Sequence, residues 1–97
     1  MKPLISVIIP AYNAQKYIRQ AVESVIQQTT DADIEVLVID DGSTDSTKEI
    51  VFEIQEECRS RKMDHREICY CPNEKNMGVA ESRNNGIRKA GGAYIAF

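Results

Sequence analysis

Tryptophan is absent from this 97-residue chain, and histidine occurs once. That histidine, His65, stands among Lys62, Asp64, Arg66 and Glu67, the setting of a solvated loop rather than of a catalytic base. Cysteine is scarce as well. Cys58, Cys69 and Cys71 are odd in number, which argues against a paired disulfide framework. Cys69-Tyr70-Cys71 is not a zinc spacing, so the three read as free thiols of a reducing compartment. No apolar run approaches the roughly 18 residues of a membrane span. The short run after Met1-Lys2-Pro3 is too brief for a signal peptide. The chain therefore reads as cytoplasmic, or as facing the cytoplasm, with any membrane association made through segments outside this stretch. A basic excess is lacking too: 12 Lys and Arg face 15 Asp and Glu, a formal net charge of -3. This sets a nucleic-acid partner aside. There is no Gly-x-Gly-x-x-Gly after the first strand, no Walker lysine loop, and no Ser/His/Asp or Cys/His set. No catalytic residue and no metal ligand is assigned within these residues.

What the chain has instead is an alternation of two periods. Leu4 to Ile9 and Ile34 to Ile39 are near-continuous apolar, β-branched runs, as expected of strands buried on both faces. Between them, from about Ala14 to Gln28, Tyr17, Ile18, Ala21, Val22, Val25 and Ile26 recur at three- and four-residue steps, which predicts a helix with one apolar face. Asn13 is its expected N-cap, and Thr29-Thr30-Asp31 its end. A second helix starts between Ser43 and Thr47, with Ser46 and Glu49 placed for a capping box. Its inner stripe is Ile50, Val51, Ile54 and Cys58; Phe52 falls off it. A short third strand spans Ile68 to Cys71. A turn follows from Asn73 to Gly78, then a helix from Val79 to Ala90 closed by Gly91-Gly92, then a fourth strand from Ala93 to Phe97. The order βαβαβαβ predicts an α/β fold, a parallel-rich doubly wound sheet with helices on both faces. A chain that stops inside a fresh strand predicts that residues 1–97 are the N-terminal part of a longer domain.

In such a sheet the ligand crevice lies beyond the carboxyl ends of the strands. Two polar clusters stand there, Pro10-Ala11-Tyr12-Asn13 and Asp40-Asp41-Gly42-Ser43. Adjacent aspartates at a strand end face different ways. One can face the crevice while the other braces the loop. A carboxylate at Asp41 suits the imide N–H of a uracil base and would repel a phosphate. An Asp-Gly-Ser turn that merely caps the next helix is the structural alternative. Tyr12 can flank a flat base with its hydroxyl wet, or pack as core. In the third helix, Arg83 falls on the stripe of Ala80, Ile87 and Ala90. A guanidinium there needs a phosphate or an acid for a partner, unless it reaches solvent at the helix edge.

Taken together, Ile5 to Asn13, Val38 to Asp45, and Asn76-Met77-Gly78 through Ser82-Arg83-Asn84-Asn85-Gly86 resemble the family 2 glycosyltransferases. The resemblance spans almost the whole chain. It implies a glycosyltransferase-A fold and a nucleotide-diphospho-sugar donor, most often UDP-linked, with a saccharide or lipid-linked acceptor, as in cell wall or polysaccharide biosynthesis. By that likeness Pro10, Ala11 and Tyr12 line the base, Asp41 binds uracil and Asp40 supports the loop. Arg83 belongs to a helix under the donor, in which Ser82 stands where alanine is usual. The family's Asp-x-Asp motif for Mg²⁺ or Mn²⁺, and its catalytic aspartate, would follow Phe97. The implied reaction is an inverting displacement at the anomeric carbon, to which this segment contributes donor binding. A non-catalytic nucleotide-binding domain and a receiver-like signalling module are the competing readings.

Overall fold

The structure is a computed structural model that describes residues 4–28, 32–73, 78–90 and 94–96. The two apolar runs form strands β1 (Leu4–Ala11) and β2 (Asp33–Asp40), joined through helix α1 (Ile18–Ile26). Helix α2 (Thr47–Ser60), strand β3 (Arg66–Pro72), helix α3 (Val79–Lys89) and strand β4 (Tyr94–Ala96) follow. All the pairings are parallel and the strand order is β3-β2-β1-β4. The chain moves outward from β1 to β3, then returns to the far side of β1. That reversal puts a topological switch point beside β1, where open α/β sheets hold their ligands.

Strand alternation sorts the core into two layers. Val36 and Val38 of β2 join Ile18, Val22 and Ile26 of α1 and Val51, Ile54 and Cys58 of α2. Leu37 and Ile39 face the other way and pack with Ile8, Cys69, Cys71 and Ala90. Burying each large aliphatic contributes roughly 1.5–3 kcal/mol, so both faces of β2 contribute to stability. Arg66 secures the amino-terminal edge of the sheet. Its guanidinium donates to the carbonyls of Ile26, Gln28, Ala32 and His65 at 2.7–3.0 Å, which ties the end of α1 to β3.

Several expectations are corrected at the helices. Helix α1 starts at Ile18, four residues later than the apolar pattern suggests, because Ala14 to Tyr17 form a turn. Asn13 has φ 48° and does not cap it. Tyr17 is 59% exposed. Ser46 makes no capping bond; the carboxylate of Asp45 accepts from the Thr47 N–H instead. Phe52 packs edge-on against Tyr70, with ring centroids 5.3 Å apart.

The inner face of α3 is not the one that its larger apolar residues mark. Ala80, Arg83 and Ile87 are exposed, whereas Ser82 and Gly86 are buried. A Cβ on Gly86 would lie 2.5 Å from Cγ2 of Ile8, so the helix sits closer to β1 than any side chain would permit. Strand β3 starts two residues before the expected Ile68 and runs through Pro72, which its register pairs with Asp40. Thr29 to Asp31, Asn76 and Gly91-Gly92 lie outside the described residues.

Candidate functional site

The loops that leave β1 and β2 are laced together by side chains that accept from backbone N–H groups across the gap. Ser43 Oγ accepts from the N–H of Asn13 at 2.8 Å, and Asn13 Oδ1 accepts from the N–H of Thr44 at 2.8 Å. Gln15 and the Asp45–Ser46 pair exchange the same kind of bond: Gln15 N–H to Asp45 Oδ2, and Ser46 N–H to Gln15 Oε1. Below them Thr47, fully buried, accepts from the Ala14 N–H at 2.9 Å and donates its hydroxyl to Asp45 Oδ1 at 2.6 Å. Desolvation works against the Asp45 carboxylate, but the bonds from Thr47 and Gln15 outweigh it and hold its pKa below the usual value. Each loop satisfies amides that the other would leave orphaned. The Asp41 N–H continues the register by donating to Ala11 C=O at 2.8 Å.

The two aspartates turn to different partners. Asp40, 2% exposed, accepts from the Ser43 N–H at 2.9 Å and from the Tyr70 hydroxyl at 2.5 Å. Burial, reinforced by that bond to Asp40, raises the Tyr70 pKa and keeps the phenol protonated as the donor. Asp41, 6% exposed, turns toward α3. Its Oδ1 accepts from Asn73 Nδ2 at 3.0 Å and its Oδ2 from the Gly78 N–H at 2.8 Å. Asn73 in turn donates to Ser82 Oγ at 3.0 Å and accepts from Asn85 Nδ2 at 2.7 Å. Gly78, the residue just before α3, has φ 86°, a backbone conformation open mainly to glycine, and its N–H is aimed at Asp41.

Pro10, Ala11, Tyr12, Asp41 and Ser82 together line one hollow at the carboxyl ends of β1 and β2. Tyr12 is half-exposed at its rim. Of the residues singled out from the sequence, Pro10, Ala11, Tyr12 and Asp41 are brought to this hollow. Asp40 lies behind it, under the loop. Arg83 stands on the exposed face of α3, and its neighbour Ser82 is the residue of that helix that lines the hollow. Sequence reasoning did not assign Ser82, Asn73, Asn85 or Thr47. The spacing of Ser82 and Asn85 on one helical face was the available signal.

Among the described residues no cluster of three or more His, Cys, Asp or Glu could hold a metal ion. Asp40 and Asp41, adjacent in sequence, are committed to separate hydrogen-bond partners. A larger concavity between α2 and β3 is lined by Arg59, Lys62, Asp64, Arg66 and Glu67. It lies at the amino end of β3, away from the crevice. No helix is long and apolar enough to cross a membrane among the described residues.

Comparison with known proteins gives a consistent picture. A family model described as glycosyl transferase family 2 matches residues 6–97. The glycosyltransferase GlyA of Streptococcus pneumoniae is 42% identical over 93 residues, which cover 96% of this chain and 12% of that protein. A crystal structure of S. aureus TarS in complex with UDP-GlcNAc superposes with a TM-score of 0.75 at 33% identity, over 98% of this chain and 25% of that one. The mannosyltransferase PcManGT of Pyrobaculum calidifontis, in complex with GDP-Man and Mn²⁺, superposes with a TM-score of 0.80 at 25% identity, over 98% and 26%. The chain spans 12–35% of the length of the first curated relatives it matches.

Proposed function

The chain belongs to glycosyl transferase family 2, and from that premise we propose that it forms the donor-nucleotide site of an enzyme that transfers a sugar from a UDP-linked donor to an acceptor hydroxyl. The observation that carries the reading is the hollow formed by Pro10, Ala11, Tyr12, Asp41 and Ser82 at the switch point of the sheet. Tyr12 covers one face of the base with its ring. Asp41 accepts the imide N–H; a carboxylate with both oxygens already held can still accept further, because each oxygen carries two lone pairs. Asp40 keeps the loop in place from behind. Arg83, on the open side of α3, meets the diphosphate.

The binding of nucleotide sugars by TarS and PcManGT supports this reading by likeness. The displacement is inverting in this proposal, with a carboxylate from outside these residues deprotonating the acceptor. A divalent metal, when bound, neutralises charge on the leaving diphosphate. In this reading its ligands lie outside residues 1–97.

Calorimetric titration of UDP into the complete gene product tests the assignment. Asp41→Ala weakens binding by about tenfold or more, the scale of a lost hydrogen bond to a charged group. Unchanged affinity in a folded Asp41→Ala variant overturns it. Release of nucleotide from donor sugars in the presence of an acceptor separates an enzyme from a domain that only binds.

A further inference from the structure

We infer that Asn73 is a positioning residue for the base-reading carboxylate, locked in turn by Ser82 and Asn85 of α3. The inference rests on the donor-site reading above and adds to it a residue outside the hollow.

The argument starts from what an amide can do. Asp41 as a carboxylate only accepts, so the side of Asn73 that faces it at 3.0 Å must be the NH₂ group. The carbonyl of Asn73 then points the other way and needs a donor, which Asn85 Nδ2 supplies at 2.7 Å. The second N–H of Asn73 goes to Ser82 Oγ at 3.0 Å. Its backbone N–H donates to Asp40 C=O at 2.8 Å, just past the last paired position of β3. Both side-chain polar atoms and the backbone N–H of Asn73 are thus engaged, and no rotation or flip of the amide satisfies the same three groups.

The consequence falls on Asp41. Without Asn73, its Oδ1 loses the donor supplied from the β3–α3 connection; the Gly78 N–H still holds Oδ2, but the second bond that fixes the rotation of the carboxylate is gone, and the ligand must supply that part of the ordering. A pre-ordered carboxylate avoids the cost of immobilising the side chain on binding. Ser82 and Asn85 lie three residues apart on one face of α3, so the helix sets the aim of the carboxylate from a distance. The serine hydroxyl at this position has a defined task that a methyl group could not perform.

A merely structural asparagine would lower stability without changing which base is preferred. The test therefore reads preference. UDP and its N3-methyl analogue, which lacks the imide N–H, are titrated into the complete gene product, with thermal unfolding recorded in parallel. Wild-type protein binds UDP about tenfold more tightly than the analogue, and Asp41→Ala abolishes the preference. Asn73→Ala reduces it to about twofold, and Asn85→Ala, which leaves Asn73 in place but frees its carbonyl, reduces it in part. If Asn73→Ala does not fold, Asn85→Ala and Ser82→Ala carry the test. A full preference in all the folded Asn73, Asn85 and Ser82 variants, with none in Asp41→Ala, overturns the role of Asn73 and leaves the Asp41 reading intact. No preference in the wild type overturns the Asp41 reading, and the role of Asn73 falls with it.

Discussion

Tyr70 donates its hydroxyl to Oδ2 of Asp40 across 2.5 Å, so the residue that ends β2 is tied to the neighbouring strand. Phe52 lies edge-on against the same tyrosine ring. A chain of contacts thus runs from the surface of α2 to the floor of the candidate site.

Tyr70→Phe keeps the ring against Phe52 and removes only the hydroxyl. It leaves one oxygen of a buried carboxylate without this donor. The expected loss is about 1–3 kcal/mol of folding stability, read as a lower denaturant midpoint with an unchanged m-value.

Gly86→Ala places a methyl 2.5 Å from Cγ2 of Ile8. Alanine gains up to about 1 kcal/mol of helix propensity over glycine, but overpacking costs about 1–3 kcal/mol. The branched carbon of a fully buried isoleucine cannot swing aside, so the overpacking wins and the variant is less stable. In the double variant with Ile8→Ala the two losses are less than additive, as a double-mutant cycle measures directly.

The Asp45 carboxylate gives a pH dependence of known sign. Its folded-state pKa lies below the usual value of 3.8, so the unfolded chain binds the proton more readily. The stabilisation is therefore whole above the usual value and disappears as pH falls through the lowered one. The stability advantage of wild type over Asp45→Asn is flat from about pH 5 to 8 and shrinks below about pH 4. An advantage that grows on acidification contradicts the arrangement.

Burial, with Glu67 and Cys71 adding to it, pushes the Cys69 thiol up to about 11. Little thiolate exists at neutral pH, and the thiolate is the reactive form. Alkylation of Cys69 by iodoacetamide in the folded protein keeps rising to about pH 11 instead of levelling near pH 9. Peptide mass spectrometry over a pH series reads this site by site.

The strands and their order of appearance were legible because burial on both faces leaves an unbroken aliphatic run, as in Ile34 to Ile39. The two polar clusters were legible because turn chemistry follows such runs directly. The register of α3 was not. Ala80 and Ile87 suggest a face, but close approach to β1 selects Ser82 and Gly86, residues that carry almost no hydrophobic signal. Caps were misassigned for a related reason. Asn13 and Ser46 have the side chains of local caps, yet one reaches 31 residues along the chain to Thr44, and the other donates its backbone N–H to Gln15. Partners that distant leave no trace in local spacing. Phe52 was unexplained for the same reason, since its partner lies on β3.

The lacing between Asn13, Gln15, Ser43 and Asp45 bears on any attempt to move this site to another scaffold. Neither loop is a self-sufficient module, because backbone donors of each are answered by side chains of the opposite one. A graft must carry both loops at their native separation, with Thr47 beneath them. Transplanting either alone would deliver the right letters in the wrong shape.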